Sequence, residues 1–312
     1  MELIKVNNIT KRFNDKLVLD DISFKIDKGD IFGLIGPNGA GKSTLINIMT
    51  GILKSNGGDI TVDGYSINKN LLKVKSYIGL VPQEIALMES VSAYDNLEFF
   101  GSLYGLKGKD LKNKINKALE LIGLENKKKE KVKKFSGGMK RRLNIAAAIM
   151  HNPKILIMDE PTVGVDPQSR NHIFEFIKKI NKENKTTVIY TSHYMEEVEM
   201  LCKNIFIMDL GKEIAYGSKK SIKSMILDRN KVTLNLDNYT GEIILDFRNV
   251  DGVKECSEEK GLINLLVEEK KFDLNKLMTV INNHKCKIKS INFEDSSLEE
   301  VFLSLTGKKL RD

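Results

Sequence analysis

No apolar run among the 312 residues approaches the ~20 needed to cross a bilayer, and stretches such as "VIY" and "ILIM" are short, so the chain is not expected to span a membrane. The N-terminus, "MELIKVNNIT", lacks both a basic leader and an apolar signal core, so secretion of the chain is not expected either. Cysteine is scarce. Cys202, Cys256 and Cys286 are odd in number and widely spaced, which fits reduced, half-buried thiols of a cytosolic protein better than a disulfide framework or a zinc site. Aromatics are missing where a nucleic-acid binder would need them. The basic run "NKKKEKVKK" at 126–134 has none interleaved and carries no RNA-module signature, so despite a net charge of +8 it reads as a solvated loop, near anionic lipid at most, and nucleic acid is a disfavoured partner.

What is present is ordinary for a globular protein: 41% hydrophobic and 29% charged residues, in a length that suggests about two domains. Ile22, Phe24 and Ile26 alternate with Ser23, Lys25 and Asp27, the period of a half-exposed antiparallel strand. After the turn residues 28–30 comes "IFGLIG", a buried strand running through a glycine loop into "STLINIMTG", a helix closed by Gly51. Short strands follow at "DITVDG" and "YIGLVPQ". Leu111, Ile115, Leu119 and Ile122 then recur at helical spacing within a helical lobe from about 89 to 134, which with the next helix makes a subdomain of about 89–150. The apolar strands "KILIMDE" and "TTVIYTSH" flank a helix near 170–181, and such alternation predicts a mostly parallel sheet covered on both faces.

The composition changes between about 218 and 230. Beyond it, Val232, Leu234 and Leu236 alternate as a strand. Leu274, Leu277, Met278 and Ile281 form one helical stripe, and Leu298, Val301, Phe302 and Leu305 another. Ser296 and Ser297, each three residues before Glu299 or Glu300, give the second stripe a capping-box start. The expected division is therefore 1–227 and a small α+β domain at 228–312.

Residues 36–43, Gly36-Pro37-Asn38-Gly39-Ala40-Gly41-Lys42-Ser43, fit G-x-x-x-x-G-K-[ST] between a strand and a helix. In such a loop converging backbone N–H groups and the helix N-terminus cradle phosphates, Lys42 reaches the β and γ oxygens, and Ser43 ligates Mg²⁺. "KILIMDE" delivers Asp159 and Glu160 to a strand's carboxyl end. Alone, two such acids read as a turn or an N-cap. Beside a phosphate loop, Asp159 is placed to hold Mg²⁺ through water and Glu160 to polarise an attacking water. His193 ends another apolar strand on the same rim, within reach of a γ-phosphate, and Gln83 follows "IGLVP" to that rim. His151, His172 and His284 are read as structural or surface residues.

Taken together these motifs resemble the ATP-binding subunit of an ABC transporter. "GPNGAGKST", which includes Thr44, is similar to that family's Walker A loop, Gln83 to its Q-loop, "FSGGMKRR" to its signature motif, "ILIMDE" to its Walker B, "VGVD" ending at Asp166 to its D-loop, and His193 to its switch histidine. The likeness spans roughly residues 2–225. It implies an α/β fold: a P-loop NTPase (RecA-like) core with a mostly parallel sheet, an antiparallel β subdomain and an inserted α-helical subdomain. It implies ATP and Mg²⁺ as ligands, with Phe13 at the position of the adenine-stacking aromatic, where Tyr is commoner. Gln83 would join Ser43 and Asp159 at the metal.

Met139, where many members carry Gln, resembles the branch of exporter ATPases for drugs, antibiotics, lipids or polysaccharides, as does the ending "SSLEEVFLSLTGKKLRD", for which the resemblance implies a regulatory or dimer-supporting role. The family works as an ATP-sandwich dimer with polytopic membrane subunits, peripheral on the inner face of the cell membrane. Ser136, Gly137 and Gly138 would then meet the γ-phosphate of the other copy's ATP, and Asp166 would belong to the same interface. Gly138→Asp is accordingly expected to spare ATP binding by the monomer while abolishing hydrolysis. Tyr94, Phe99 and Phe100 are candidates for a groove that receives the membrane partner, or for packing inside the helical lobe. The alternative is a non-transport ATPase of the same superfamily acting on ribosomes or nucleic acid.

Overall fold

The computed structural model describes residues 1–226, 229–259, 261–268, 271–294 and 297–306. They fall into two compact units, Met1–Lys219 and a second that begins at Lys220.

In the first unit β1 (Glu2–Phe13) and β2 (Lys16–Asp27) make a long antiparallel hairpin, and β3 (Ile31–Ile35) leaves it for a different sheet. α1 (Lys42–Met49) follows, and Gly51 takes the left-handed conformation (φ 66°) that ends it. β4 (Gly57–Val62) and β5 (Tyr65–Ser66) complete a four-stranded sheet ordered β2-β1-β4-β5. The period-two pattern holds: Ile22, Phe24 and Ile26 are buried, while Lys25 and Asp27 are exposed.

After α2 (Leu71–Tyr77), β6 (Ile78–Val81) enters the central sheet. The helical subdomain follows as α3 (Ala93–Leu103), α4 (Gly108–Leu121) and α5 (Gly137–Ala148). α3 starts on a capping box in which Ser92 and Asp95 satisfy each other's backbone N–H, both at 3.1 Å. The stripe Leu111, Ile115, Leu119 and Ile122 is buried as the periodicity requires. The basic run forms two 3₁₀ turns, Glu125–Lys127 and Val132–Lys134, whose lysines are exposed while Val132 is buried.

β7 (Ile155–Met158), α6 (Pro167–Asn184), β8 (Thr187–Ser192), α7 (Met195–Leu201), β9 (Asn204–Asp209) and β10 (Lys212–Ser218) complete the unit. The sheet order is β10-β9-β3-β8-β7-β6, parallel throughout except for the edge strand β10. Every residue of β7 and β8 is buried: Ile155, Ile157 and Ile189 enter the core shared with the antiparallel sheet and α1, and α6 and α7 pack against β8. α6 runs longer than the apolar periodicity indicated, because Asp166 caps it and Pro167 occupies its first turn, three residues before the predicted start.

α8 (Lys219–Ile226) spans the division between the units. The second unit runs β11 (Arg229–Asp237), α9 (Glu242–Arg248), β12 (Val253–Glu259), β13 (Leu262–Glu268), α10 (Leu274–Asn283), β14 (Lys287–Glu294) and α11 (Leu298–Thr306). This βαββαβ order, with an antiparallel sheet β12-β13-β11-β14, is ferredoxin-like. Val232, Leu234 and Leu236 join Ile263, Leu265, Leu277 and Ile281 in its own core. Only two of the four predicted stripe residues of α10 are fully buried, since Leu274 is exposed in the first turn and Met278 lies at the edge of the core. The capping box forms at Ser297 and Glu300, with reciprocal bonds of 2.9 and 3.2 Å; Ser296 lies outside the described residues. All three cysteines are free thiols, and Cys202 and Cys256 are fully rather than half buried.

Candidate functional site

The parallel register gathers the predicted residues on one rim. Ile35 of β3 lies opposite Ser192 of β8, Met158 of β7 opposite Tyr190, and Val81 of β6 opposite Met158. Gly36, His193, the pair Asp159 and Glu160, and Gln83 therefore leave the carboxyl ends of four neighbouring strands, where open α/β sheets bind ligands.

The loop at 36–43 needs its glycines for different reasons. Gly39 (φ 81°) and Gly41 (φ 108°) adopt left-handed backbone, and a Cβ on Gly41 would stand 2.8 Å from Leu19 Cδ2. Gly36 packs against the backbone of Met208, which leaves no room for a side chain. A Cβ on Gly39, by contrast, would meet nothing within 4 Å, so this face of the loop is open to a ligand. A cavity of about 450 Å³ lies alongside, with Gly39, Gly41, Ser43 and Thr44 on one wall and Lys16, Leu17 and Val18 on the other. Asn38 and Ser43 are exposed, whereas Pro37 and Ala40 are buried and shape the loop from beneath.

Glu160 is the focus of the rim. It is buried, and its backbone is left-handed (φ 45°), an uncommon state for a residue with a long side chain. Lys42 Nζ lies 3.4 Å from Glu160 Oε1. Gln83 Nε2 donates to Oε2 at 3.2 Å, and His193 Nδ1 stands 3.5 Å from that same oxygen. Lys42 also donates to the carbonyls of Gly36 (2.7 Å) and Pro37 (3.3 Å), so its ammonium is held beneath the loop. Asp159 accepts from Thr191 Oγ1 at 2.8 Å, and burial raises its carboxyl above the usual range against the opposing pull of Thr191 and Ser43.

The remaining predicted residues are placed elsewhere. Phe13 is an exposed ring at the end of β1, outside the lining of the cavity, with Lys11 Nζ 5.0 Å from its centroid. Ser136 caps α5 by accepting from Met139 N at 3.3 Å. Gly137 and Gly138 are unlike each other: Gly137 is exposed with open space around it, while Gly138 is pressed against Ser169 and lies near Asp166, in the first turn of α6. Asp166 caps that helix, accepting from Ser169 N at 2.9 Å, and the bonds from Ser169 hold its carboxyl below the usual range. Of the three signature residues Gly138 thus sits against α6, and none of the contacts described for them reaches the phosphate loop.

Of the groove candidates, Phe100 lines a cavity of about 250 Å³ together with Ile52, Leu80, Pro82, Ala86 and Tyr104. Phe99 is exposed beside it, its ring edge-on to Phe100 at 5.4 Å, and Tyr94 lies outside the lining. Tyr104, which the pattern did not single out, stacks on His151 at 3.7 Å. His151 in turn reaches the carbonyl of Ile78 at 3.1 Å, the structural role expected of it.

The family model described as "ABC transporter" matches residues 19–163. Over 312 residues the chain is 43% identical to the linearmycin resistance ATP-binding protein LnrL of Bacillus subtilis (strain 168), covering 99% of this chain and 100% of that protein. The chain belongs to the ABC transporter family of ATP-binding proteins. It is also 31% identical to the daunorubicin resistance ATP-binding protein DrrA2 of Streptomyces coeruleorubidus, over 98% of this chain and 95% of that protein. Among solved structures, the ATP-binding cassette MJ0796, a dimer in a post-hydrolysis state bound to ADP and Pi, superposes with a TM-score of 0.64 at 26% identity, covering 69% of this chain and 98% of that one. This ABC protein is thus an ATP-hydrolysing subunit of a transporter. No helix among its described residues is long and apolar enough to cross a membrane.

Three contributors to this cassette's rim were not singled out from the sequence. Thr191 is fully buried in β8. It holds Asp159 and also accepts from Glu160 N at 2.8 Å, which fixes the left-handed turn. Glu197 on α7 accepts from Thr162 Oγ1, Tyr190 OH and Ser192 Oγ at 2.8, 2.8 and 2.9 Å, bracing the strand end that carries His193. Arg141 of α5 donates to the carbonyls of Pro82 and Gln83 at 2.9 and 2.6 Å. The only legible signal was type: buried strands and helix faces do not keep Thr, Glu and Arg without partners.

Proposed function

We propose that this subunit drives export of an amphipathic antibiotic-like or lipid-like compound, hydrolysing ATP as a sandwich dimer on the inner face of the cell membrane. The observation that carries the catalytic part is the convergence of Lys42, Gln83 and His193 on the buried carboxylate of Glu160. With Lys42 turned to the β and γ oxygens of ATP, Glu160 is left to orient and polarise the attacking water, and His193 and Gln83 fix its direction. Residues 36–44 cradle the phosphates, and Phe13 stacks on adenine once the nucleotide bridges from the loop to the hairpin.

Mg²⁺ fits this donor set. Among the described residues no three His, Cys, Asp or Glu side chains converge as an all-protein cage, and a single buried carboxylate with a hydroxyl is what Mg²⁺ takes when phosphates and water complete its shell. Ser43, Gln83 and Asp159 would hold it, and it would neutralise charge on the transferring phosphoryl group. Ser136, Gly137, Gly138 and Asp166 would close the site of the other copy, which agrees with the lack of any described contact between them and this chain's own loop. The cavity at Phe100 and Tyr104 would receive a helix of the membrane subunit. The domain expected at 228–312 would act as an accessory to the dimer. The export direction and cargo class follow the linearmycin and daunorubicin resistance relatives, and nothing in those relatives supports an action on nucleic acid.

Glu160→Gln tests the reading. The variant is expected to bind ATP, accumulate as a closed dimer seen by sedimentation, and turn over at least ~10²-fold slower. It should also withdraw the protection that the wild-type transporter gives cells against such a compound. Wild-type turnover, with full protection, would refute it.

A further inference from the structure

The rim residues Gly36, Asp159, Glu160 and His193 each follow directly from a strand of the central sheet. The loop that carries Gln83 has a second attachment. Arg141 is buried in α5, and its two terminal nitrogens donate to the carbonyls of Pro82 (2.9 Å) and Gln83 (2.6 Å). One turn further along the same helix, Asn144 accepts from Ala86 N at 3.3 Å and reaches the carbonyl of Glu84 at 3.5 Å. Two side chains three residues apart, on one helix face, therefore grip four backbone sites within residues 82–86 of the loop. The grip is made to main chain, so it holds the loop's path and leaves the Gln83 side chain free to reach Glu160.

Packing alone does not account for an arginine here. Among the described residues no carboxylate is paired with Arg141, its Nε has no partner, and burial lowers its pKa with no opposing charge. An apolar side chain would fill the same space without burying a charge. What arginine supplies is a rigid planar fork able to span two successive carbonyls, which a lysine cannot do. α5 is also the helix capped by Ser136 that begins with Gly137 and Gly138. Its later residues Asn144, Ala147 and Ala148 line the cavity shared with Pro82, Ala86 and Phe100.

We infer that Arg141, assisted by Asn144, is a positioning residue for hydrolysis: it ties the Gln83 loop to the signature helix, so that the placement of Gln83 against Glu160 follows the position of that helix. The signature glycines and the Gln83 loop of one chain are thereby carried by a single helix, whereas Glu160 itself is held from the sheet by Thr191. This rests on the ATPase reading above. It adds that engagement of α5 by a second copy is conveyed to the same chain's own Glu160, through main-chain hydrogen bonds.

The test is a kinetic double-mutant cycle on the full-length protein, with Arg141→Gln, Arg141→Lys and Gln83→Ala, singly and combined. Arg141→Gln is expected to lower kcat at least tenfold, to raise the Mg²⁺ concentration at half-maximal turnover, and to leave the affinity for ATP without Mg²⁺ within threefold of wild type. Arg141→Lys, able to serve one carbonyl, should fall between. Combined with Gln83→Ala, either substitution should add less than twofold to the loss that Gln83→Ala causes alone. Independent, multiplicative losses would overturn the inference, as would Arg141→Gln turnover within twofold of wild type. Should Arg141→Gln not fold, the Arg141→Lys arm decides by the same criterion. A wild-type protein that fails to hydrolyse ATP would instead sink the ATPase reading itself.

Discussion

Replacing Gly137 by aspartate should make the protein more stable and inactive at once. Gly137 is the first helical residue of α5, it is exposed, and a Cβ there would meet nothing within 4 Å. Exchange of glycine for aspartate recovers about 0.3 kcal/mol of helix propensity. The first turn of α5 holds no acidic residue, so the new carboxylate adds about 0.3–1 kcal/mol against the helix dipole. The sum, roughly 0.6–1.3 kcal/mol, corresponds to a rise in Tm of about 1–5 °C for a domain of this size. The same carboxylate would face the partner's γ-phosphate, so turnover should fall on the order of 10²–10³-fold, the scale of losing an oxyanion-binding group.

Gly138 is the contrasting position. Its Cβ would lie 2.7 Å from Ser169 Cβ and 3.0 Å from Asp166 Oδ2, an overpacking of about 1–3 kcal/mol even for alanine. Gly138→Asp is therefore not the clean probe that the sequence indicated, because inactivity there would mix lost folding with lost contact. Thermal unfolding and steady-state ATPase assays on both variants decide the matter. If Gly137→Asp hydrolysed ATP at the wild-type rate, the signature surface would not meet phosphate and the reasoning would fail.

Thr191→Val keeps the shape of a fully buried side chain but strands the Glu160 N–H and removes a donor from Asp159. It should cost about 1–3 kcal/mol in denaturant unfolding and shift the Mg²⁺ dependence of turnover upward, whereas an unchanged Mg²⁺ dependence would deny Thr191 any part in the site. Asp159→Asn should abolish Mg²⁺-dependent turnover yet stabilise the nucleotide-free fold at neutral pH. Burial raises the folded-state pKa of Asp159, so the stability tied to its protonated form is full below the unfolded pKa and is lost as pH rises through the folded one. The advantage of Asn should accordingly shrink as pH falls into the carboxylate range, and a variant no more stable than wild type at pH 7 would contradict this.

What the sequence disclosed follows from the range of the interactions involved. The phosphate loop, the paired acids and His193 are each local: a strand, a special residue and a helix within about ten positions, and the parallel register does the rest. The period-two and helical stripes survive in the structure because burial on one face is itself a local pattern. Thr191 was hidden inside an unbroken apolar strand, where its hydroxyl reads as a β-branched filler until Asp159 is brought beside it. Arg141 was hidden for the opposite reason, since it sits in a basic motif where one more positive charge carries no signal, and its partners lie nearly sixty residues upstream. Asp166 was legible only through the likeness of "VGVD" to the D-loop, and not that its carboxylate is engaged by the first turn of its own helix.

These placements divide the catalytic rim into parts of unequal rigidity. The phosphate loop is wedged against Leu19 and Met208, Asp159 and Glu160 are pinned by Thr191, and the His193 turn is braced through Ser192 by Glu197. Each of these supports lies in the sheet, the hairpin or α7, and none belongs to the helical subdomain. Gln83 differs: its loop is carried by Arg141 and Asn144 of α5, and α5 is packed against α3, α4, α6 and β6. A rim built on one rigid body except for a single residue has one place where an outside event can complete or spoil it. In this protein that place is the loop between Val81 and Ala86, and the helix that holds it is also the one that presents Gly137 to a second copy.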